Sequence, residues 1–228
     1  MKSNKIFAVI PAYNEEKNIA DIIKKTKAYV DKIVVVDDGS RDKTIAKAEE
    51  AGAITLRHIV NLGKGAALKT GCDFAVKNGA EFIIALDADA QHNPDDIPRF
   101  IEKLKSYDLV FGYRKLSSKM PIVLRFGNWF ISNIVSALHG VSLKDTQCGF
   151  RAFSRETYQK IRWNASDYSM ESEMIARAGK QKLKYVQIPI QTVYSDKYKG
   201  TTIIDGIKIA LNMLWWKIGN KKNQGRIP

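Results

Sequence analysis

The chain has 228 residues, enough for one domain with a full core or at most two small ones. Apolar residues at 45% and charged residues at 27% are ordinary globular proportions, which argues against disorder outside the tail. The net charge of +13 suits nucleic acid, an anionic membrane or a phosphorylated ligand, and equally a plain solvated face, so the motifs must decide between them.

The first half alternates strands and helices. Ile6 to Ile10 reads as a short apolar strand broken by Pro11, and Glu15 to Tyr29 as a helix with Ile19, Ile22, Ile23 and Val30 on one side. Lys32 to Val36 is a second strand, ending at Asp37. A helix over Arg41 to Ala51 has Ser40 as its expected N-cap and Gly52 as its stop. Ala53 to His58, Glu81 to Leu86 and Asp108 to Gly112 read as further strands, with helices over Lys64 to Lys77 and Pro94 to Lys105 between them. This alternation predicts βαβ units and a mostly parallel α/β sheet covered on both faces.

Beyond Gly112 the regularity fails. Met120 to Leu138 reads as a long apolar helix, and the string Asp145 to Phe150 leads into a strand through Phe153. A helix over Ser169 to Gln181, a strand over Lys184 to Ile190 and an amphipathic helix over Thr202 to Ile218 follow. Phe126 to Leu143 is too polar and too short for a membrane span. No signal peptide is legible. Cys72 and Cys148 show no metal spacing and read as reduced thiols of a cytoplasmic protein, and the sequon at Asn164 reads as chance. With no linker in sight, the chain reads as a single domain. Within it, 1–112, 113–200 and 201–228 read as successive portions, the last an amphipathic helix and basic tail.

In open α/β sheets, ligands bind at the carboxyl ends of the strands. Pro11-Ala12-Tyr13-Asn14-Glu15 follows the first strand, Asp37-Asp38-Gly39-Ser40 the second, and Asp87-Ala88-Asp89-Ala90-Gln91 the fourth. The two carboxylates of Asp87 and Asp89, one residue apart on a tight turn, can approach one Mg²⁺ or Mn²⁺. Such an ion prefers one or two carboxylates plus phosphate oxygens. Asp37 and Asp38 are either a turn with an N-cap or acceptors for nucleobase N–H and ribose hydroxyls. Pro11 and Tyr13 can wall the base. Asn61 to Ala67 precedes a helix and offers backbone N–H groups and Lys64 to a phosphate, or else packs helix on strand through small residues. It is neither a dinucleotide fingerprint nor a P-loop. No nucleic-acid-binding signature is present, so that partner is set aside. A nucleotidyltransferase would place a Gly-rich loop where Pro11 to Asn14 stand.

Together these segments resemble family 2 glycosyltransferases of the GT-A fold. The resemblance runs from about Ile6 to Tyr194. Gly112-Tyr113-Arg114, Arg125 with Asn128, and Asp145 to Arg151 resemble the polyprenyl (dolichyl) phosphate hexosyltransferase branch. Asp-Thr-Gln-Cys-Gly-Phe is most like the dolichyl-phosphate β-glucosyltransferases. The resemblance implies that Pro11, Tyr13, Glu15 and Asp37 hold the nucleoside. Asp38, Lys64 and Ala88 would complete the donor site, and Asp87, Asp89 and Gln91 would serve metal and diphosphate. Arg114, Arg125 and Arg151 would bind phosphates, the acceptor's above all. It further implies an inverting transfer of a hexose, with UDP-glucose favoured over GDP-mannose, to a polyprenyl phosphate at the cytoplasmic membrane face. A phosphate acceptor needs no general base; a hydroxyl acceptor would, and Asp145, Glu171 and Glu173 are the candidates. Membrane contact would fall to the Met120 to Leu143 stretch or to the C-terminal helix with Trp215, Trp216 and Lys217, which reads equally as a core-packing helix.

Overall fold

A computed structural model describes residues 5–114 and 140–191. In chain order these form β1 (Ile6–Ala12), α1 (Ile19–Thr26), β2 (Lys32–Asp37), α2 (Thr44–Glu50), β3 (Ile54–Arg57), α3 (Lys64–Lys77) and β4 (Phe82–Ala85). A 3₁₀ turn (Pro94–Asp96) then runs into α4 (Ile97–Lys103). It is followed by β5 (Leu109–Arg114), β6 (Arg151–Ser154), α5 (Arg155–Ile161), α6 (Met170–Lys180) and β7 (Tyr185–Ile190). The seven strands make one sheet in the order β3-β2-β1-β4-β6-β5-β7. Six run the same way; β6 is antiparallel to both its neighbours, pairing Ile84 with Ala152 on one side and Val110 with Ala152 on the other.

Strict alternation along the strands builds the core on both faces. Phe7, Val9, Val34, Val36, Ile83 and Phe111 meet α3, α5 and α6 on one side; Ala8, Ile10, Val35, Ile84 and Val110 meet α1 and α4 on the other. This double burial explains why the strands read as unbroken apolar runs.

Three expectations are corrected and one helix is added. Pro11 does not break β1, because the ladder to β4 ends at Val9↔Ala85 and Pro11 pairs only with Val36 of β2. Ser40 does not cap α2; its hydroxyl accepts the Asn14 N–H at 2.9 Å, and the helix starts three residues later than read, at Thr44. The helix read from Glu15 starts at Ile19, because the Glu15 carbonyl closes a tight turn onto the N–H groups of Asn18 and Ile19. The helix α5 was not read at all, although Ser154 caps it by accepting the Thr157 N–H at 3.1 Å. The helices read around Met120 to Leu138 and Thr202 to Ile218 lie outside the described residues.

Candidate active site

The loops after β1 and β2 are stitched into one surface. The Asn14 side chain accepts the Arg41 N–H at 2.9 Å, and Thr44 Oγ1 accepts the Glu15 N–H at 2.8 Å. Beside them the turn after β4 carries Asp87, Ala88 and Asp89, with Ala90 in the left-handed region at φ 60°. Between these loops and the start of α3 lies a cavity of about 580 Å³. Pro11, Tyr13, Glu15, Asp38, Lys64, Asp87, Ala88, Asp89, Gln91 and Arg114 all line it, as do Gln147, Tyr168 and Glu171. The sequence thus anticipated most of the lining, at the carboxyl ends of β1, β2 and β4.

The charges inside are paired with one another. Lys64 Nζ stands 2.8 Å from Asp87 Oδ1 and 2.8 Å from Glu171 Oε1. Burial works against this ammonium, but the two carboxylates more than offset it and hold its pKa above the ordinary lysine value. Burial likewise works against the charge of Asp87, yet Lys64 keeps its carboxyl below the usual range. Asp89 lies further from that cation. Burial first and the Asp87 charge second push its pKa up, and its Oδ1 accepts the Gln91 N–H at 3.0 Å. His92 is buried beneath the turn and, by burial, neutral-leaning.

Asp38 holds the wall of the cavity in shape. Its carboxylate accepts the N–H groups of Leu62 and Gly63 at 2.9 and 2.8 Å and lies 2.7 Å from His58 Nδ1. It therefore sets the entry into α3 at Gly63, whose φ of 99° suits glycine. Asp37 is not brought to the cavity. Its carboxylate is buried behind the loop, where Oδ1 accepts the Ser40 N–H and Arg57 Nε lies 3.3 Å from Oδ2.

The segment before β6 forms the opposite wall. Asp145 takes Arg114 in a two-point grip, Nε to Oδ2 at 2.7 Å and Nη2 to Oδ1 at 3.1 Å. Gly149 rests its backbone against the Asp87 carboxylate, and a Cβ there would collide with it. Arg151, read as a phosphate ligand, is placed elsewhere. It is 1% exposed, absent from the lining, and donates to the carbonyls of Thr146 (2.8 Å), Cys148 (3.0 Å) and Glu171 (3.1 Å). It is a clamp behind the wall. Glu173 also faces away, accepting the N–H groups of Asn164 and Ala165 and the guanidinium of Arg177. Burial, with Asp145 adding to it, pushes the Cys148 thiol up to about 12, so it is inert. Arg125 lies outside the described residues. Sequence reasoning passed over Gln147, although it sits inside the Asp145 to Phe150 string. It also passed over Tyr168, whose ring lies 5.6 Å from the Lys64 ammonium.

The sheet, with its carboxylate-lined cleft at the carboxyl edge, has the GT-A fold. Glucosyl-3-phosphoglycerate synthase of Mycobacterium tuberculosis superposes with a TM-score of 0.75 at 18% identity, over 95% of this chain and 79% of that one; that crystal holds Mn²⁺, UDP and phosphoglyceric acid. The chain belongs to glycosyl transferase family 2, whose model matches residues 7–170. It is 39% identical to an uncharacterised protein of Methanocaldococcus jannaschii, over 96% of this chain and 94% of that one. It is 34% identical to the UDP-N-acetylglucosamine–dolichyl-phosphate N-acetylglucosaminyltransferase of Methanococcus voltae, over 96% of this chain and 98% of that one. It is 30% identical to a dolichyl-phosphate β-glucosyltransferase of Trichomonas vaginalis, over 94% and 76%.

Proposed function

We propose that this glycosyltransferase moves a sugar from a uridine diphosphate donor to a polyprenyl phosphate, with inversion in a single displacement. The observation that carries the choice of acceptor is the state of the three candidate bases. Asp145 is held by Arg114, Glu171 by Lys64, and Glu173 by Arg177 and two backbone N–H groups. A hydroxyl acceptor needs a base; a phosphate monoester is already charged about −1.5 to −2 at pH 7 and needs only positioning.

Glucose is the sugar the Asp145 to Phe150 string favours. N-acetylglucosamine is a second reading, supported by the Methanococcus relative at 34% identity. GDP-mannose has less support. The lipid acceptor places the reaction at a membrane surface, as a peripheral enzyme of the cytoplasmic face. Among the described residues no helix is long and apolar enough to cross a membrane.

The donor set fits a divalent ion. Asp89 is disfavoured as a carboxylate by burial and by Asp87, a strain that a cation between them relieves. Asp87, Asp89 and the Gln91 side chain would hold Mg²⁺ or Mn²⁺, which supplies positive charge to the departing diphosphate. Pro11, Tyr13 and Glu15 border the nucleoside end of the cavity, and Asp38 fixes the loop beside it. Lys64 moves its charge between Asp87 and the diphosphate. Arg114, a planar guanidinium oriented by Asp145, is the cavity cation proposed for the acceptor phosphate, beside Lys64 for the donor's.

Calorimetric titration of UDP tests the donor half. Binding should require MnCl₂ and be lost in Asp89→Ala. Equal affinity in EDTA and in the variant would remove the metal from the account.

A further inference from the structure

We propose that Gln147 reads the sugar of the donor, its side-chain amide hydrogen-bonding the hexose rather than the nucleotide or the metal; this rests on the uridine-diphosphate-sugar reading above. Both Nε2 and Oε1 of Gln147 are buried and have no hydrogen-bond partner. The other buried side-chain atoms in that condition among the described residues belong to Thr26, Asp37, Thr146 and Ser172, and none of those residues lines the cavity. Gln147 does, together with Asp87, Asp89 and Arg114; its two amide atoms are shielded from solvent, so a turn of the side chain brings them to a ligand there.

Its place is fixed on both sides. The Gln147 N–H donates to Asp145 Oδ1 at 3.2 Å, and two residues on, Gly149 packs against the Asp87 carboxylate. The orphaned amide therefore stands at the β4 side of the cavity, beside the Asp87 and Asp89 carboxylates that the proposed donor's diphosphate would face. The other side, at β1 and β2, is bordered by Pro11, Tyr13 and Asp38.

The chemistry of an amide narrows what it binds. It offers two N–H donors and one carbonyl acceptor. A phosphate only accepts and would leave the carbonyl unpaired. A metal ion takes only the oxygen and would leave the NH₂ unpaired. Sugar hydroxyls both donate and accept, as does an acetamido group, and either satisfies both halves at once. A nucleobase edge would do so too, but it belongs to the opposite end of the cavity. A site built to hydrogen-bond a substrate hydroxyl discriminates strongly against a ligand that lacks it.

The test compares UDP with UDP-glucose and UDP-N-acetylglucosamine, titrated in MnCl₂ into the full chain, Gln147→Met and Gln147→Asn. The native amide has no protein partner, so Gln147→Met should melt at or above the wild-type temperature. The variants should bind UDP within about twofold of wild type and bind the preferred UDP-sugar about tenfold more weakly. Asn should lose affinity in the same selective way, because its amide is withdrawn by one methylene. An equal loss for UDP and UDP-sugar would assign the amide to the nucleotide or metal and overturn the proposal. No loss for any ligand would overturn it as well. Failure of wild type to bind UDP strikes the transferase reading itself, an outcome distinct from both.

Discussion

Arg151 is a full charge with its donors spent on three backbone carbonyls. Burial lowers its pKa, with Glu171 the chief opposing charge, and the guanidinium stays protonated. It ties Thr146 and Cys148 to Glu171, so the wall that presents Gln147 and Gly149 depends on it. Lysine has no fork to reach all three carbonyls. Arg151→Lys should therefore cost about 3 kcal/mol in urea unfolding, and a loss under about 1 kcal/mol would show that the carbonyls find other donors. Asp145 makes a pH-dependent contribution. Burial raises its pKa but Arg114 overrides this, so the folded value lies below the unfolded one. The stability it adds is complete above the unfolded pKa of about 3.9 and is lost as pH falls through the lower folded value. The stability gap between wild type and Asp145→Asn should then be constant from neutrality to about pH 5 and shrink below about pH 4. A gap independent of pH would contradict the ion pair.

At the scale of elements, the segment from Asp145 to Arg151 joins the site to the sheet. It leads into β6, which is wedged antiparallel between β4 and β5, and so brings Gly149 against Asp87. Gly149→Ala would push that carboxylate out of place. The expected result is a drop in turnover of about 100-fold or more, with a melting temperature lowered by only a few degrees. Unchanged turnover would mean that the carboxylate's position is not set by this wall. The strands β1, β2, β4 and β5 were legible because double burial writes unbroken apolar runs. The Asp87 and Asp89 pair was legible because it follows such a run. The four-residue β6 has no periodicity of its own to show its direction, which pairing with β4 and β5 decides. Arg151 reads the same in sequence whether its guanidinium meets a phosphate or three carbonyls. Asp37 and Asp38 are neighbours with opposite fates for a similar reason. Asp37 ends β2 with its carboxylate turned behind the loop, while Asp38, just past the strand, grips the loop that walls the cavity, and the residue types alone do not show which does which.

For the whole molecule, the parallel strands converge their polar loops at one edge, and that edge holds the paired charges: Lys64 with Asp87 and Glu171, and Arg114 with Asp145. The net charge of +13 is consistent with phosphorylated ligands. The proposed reaction transfers a sugar to a phosphate without a general base. It is tested most directly by supplying labelled UDP-glucose or UDP-N-acetylglucosamine with MnCl₂, and offering a short polyprenyl phosphate beside the matching polyprenol. Label should appear in the polyprenyl phosphate alone, be abolished by EDTA and fall at least about 100-fold in Asp89→Ala. Label in the polyprenol, or in a glycan hydroxyl with none in the polyprenyl phosphate, would contradict it.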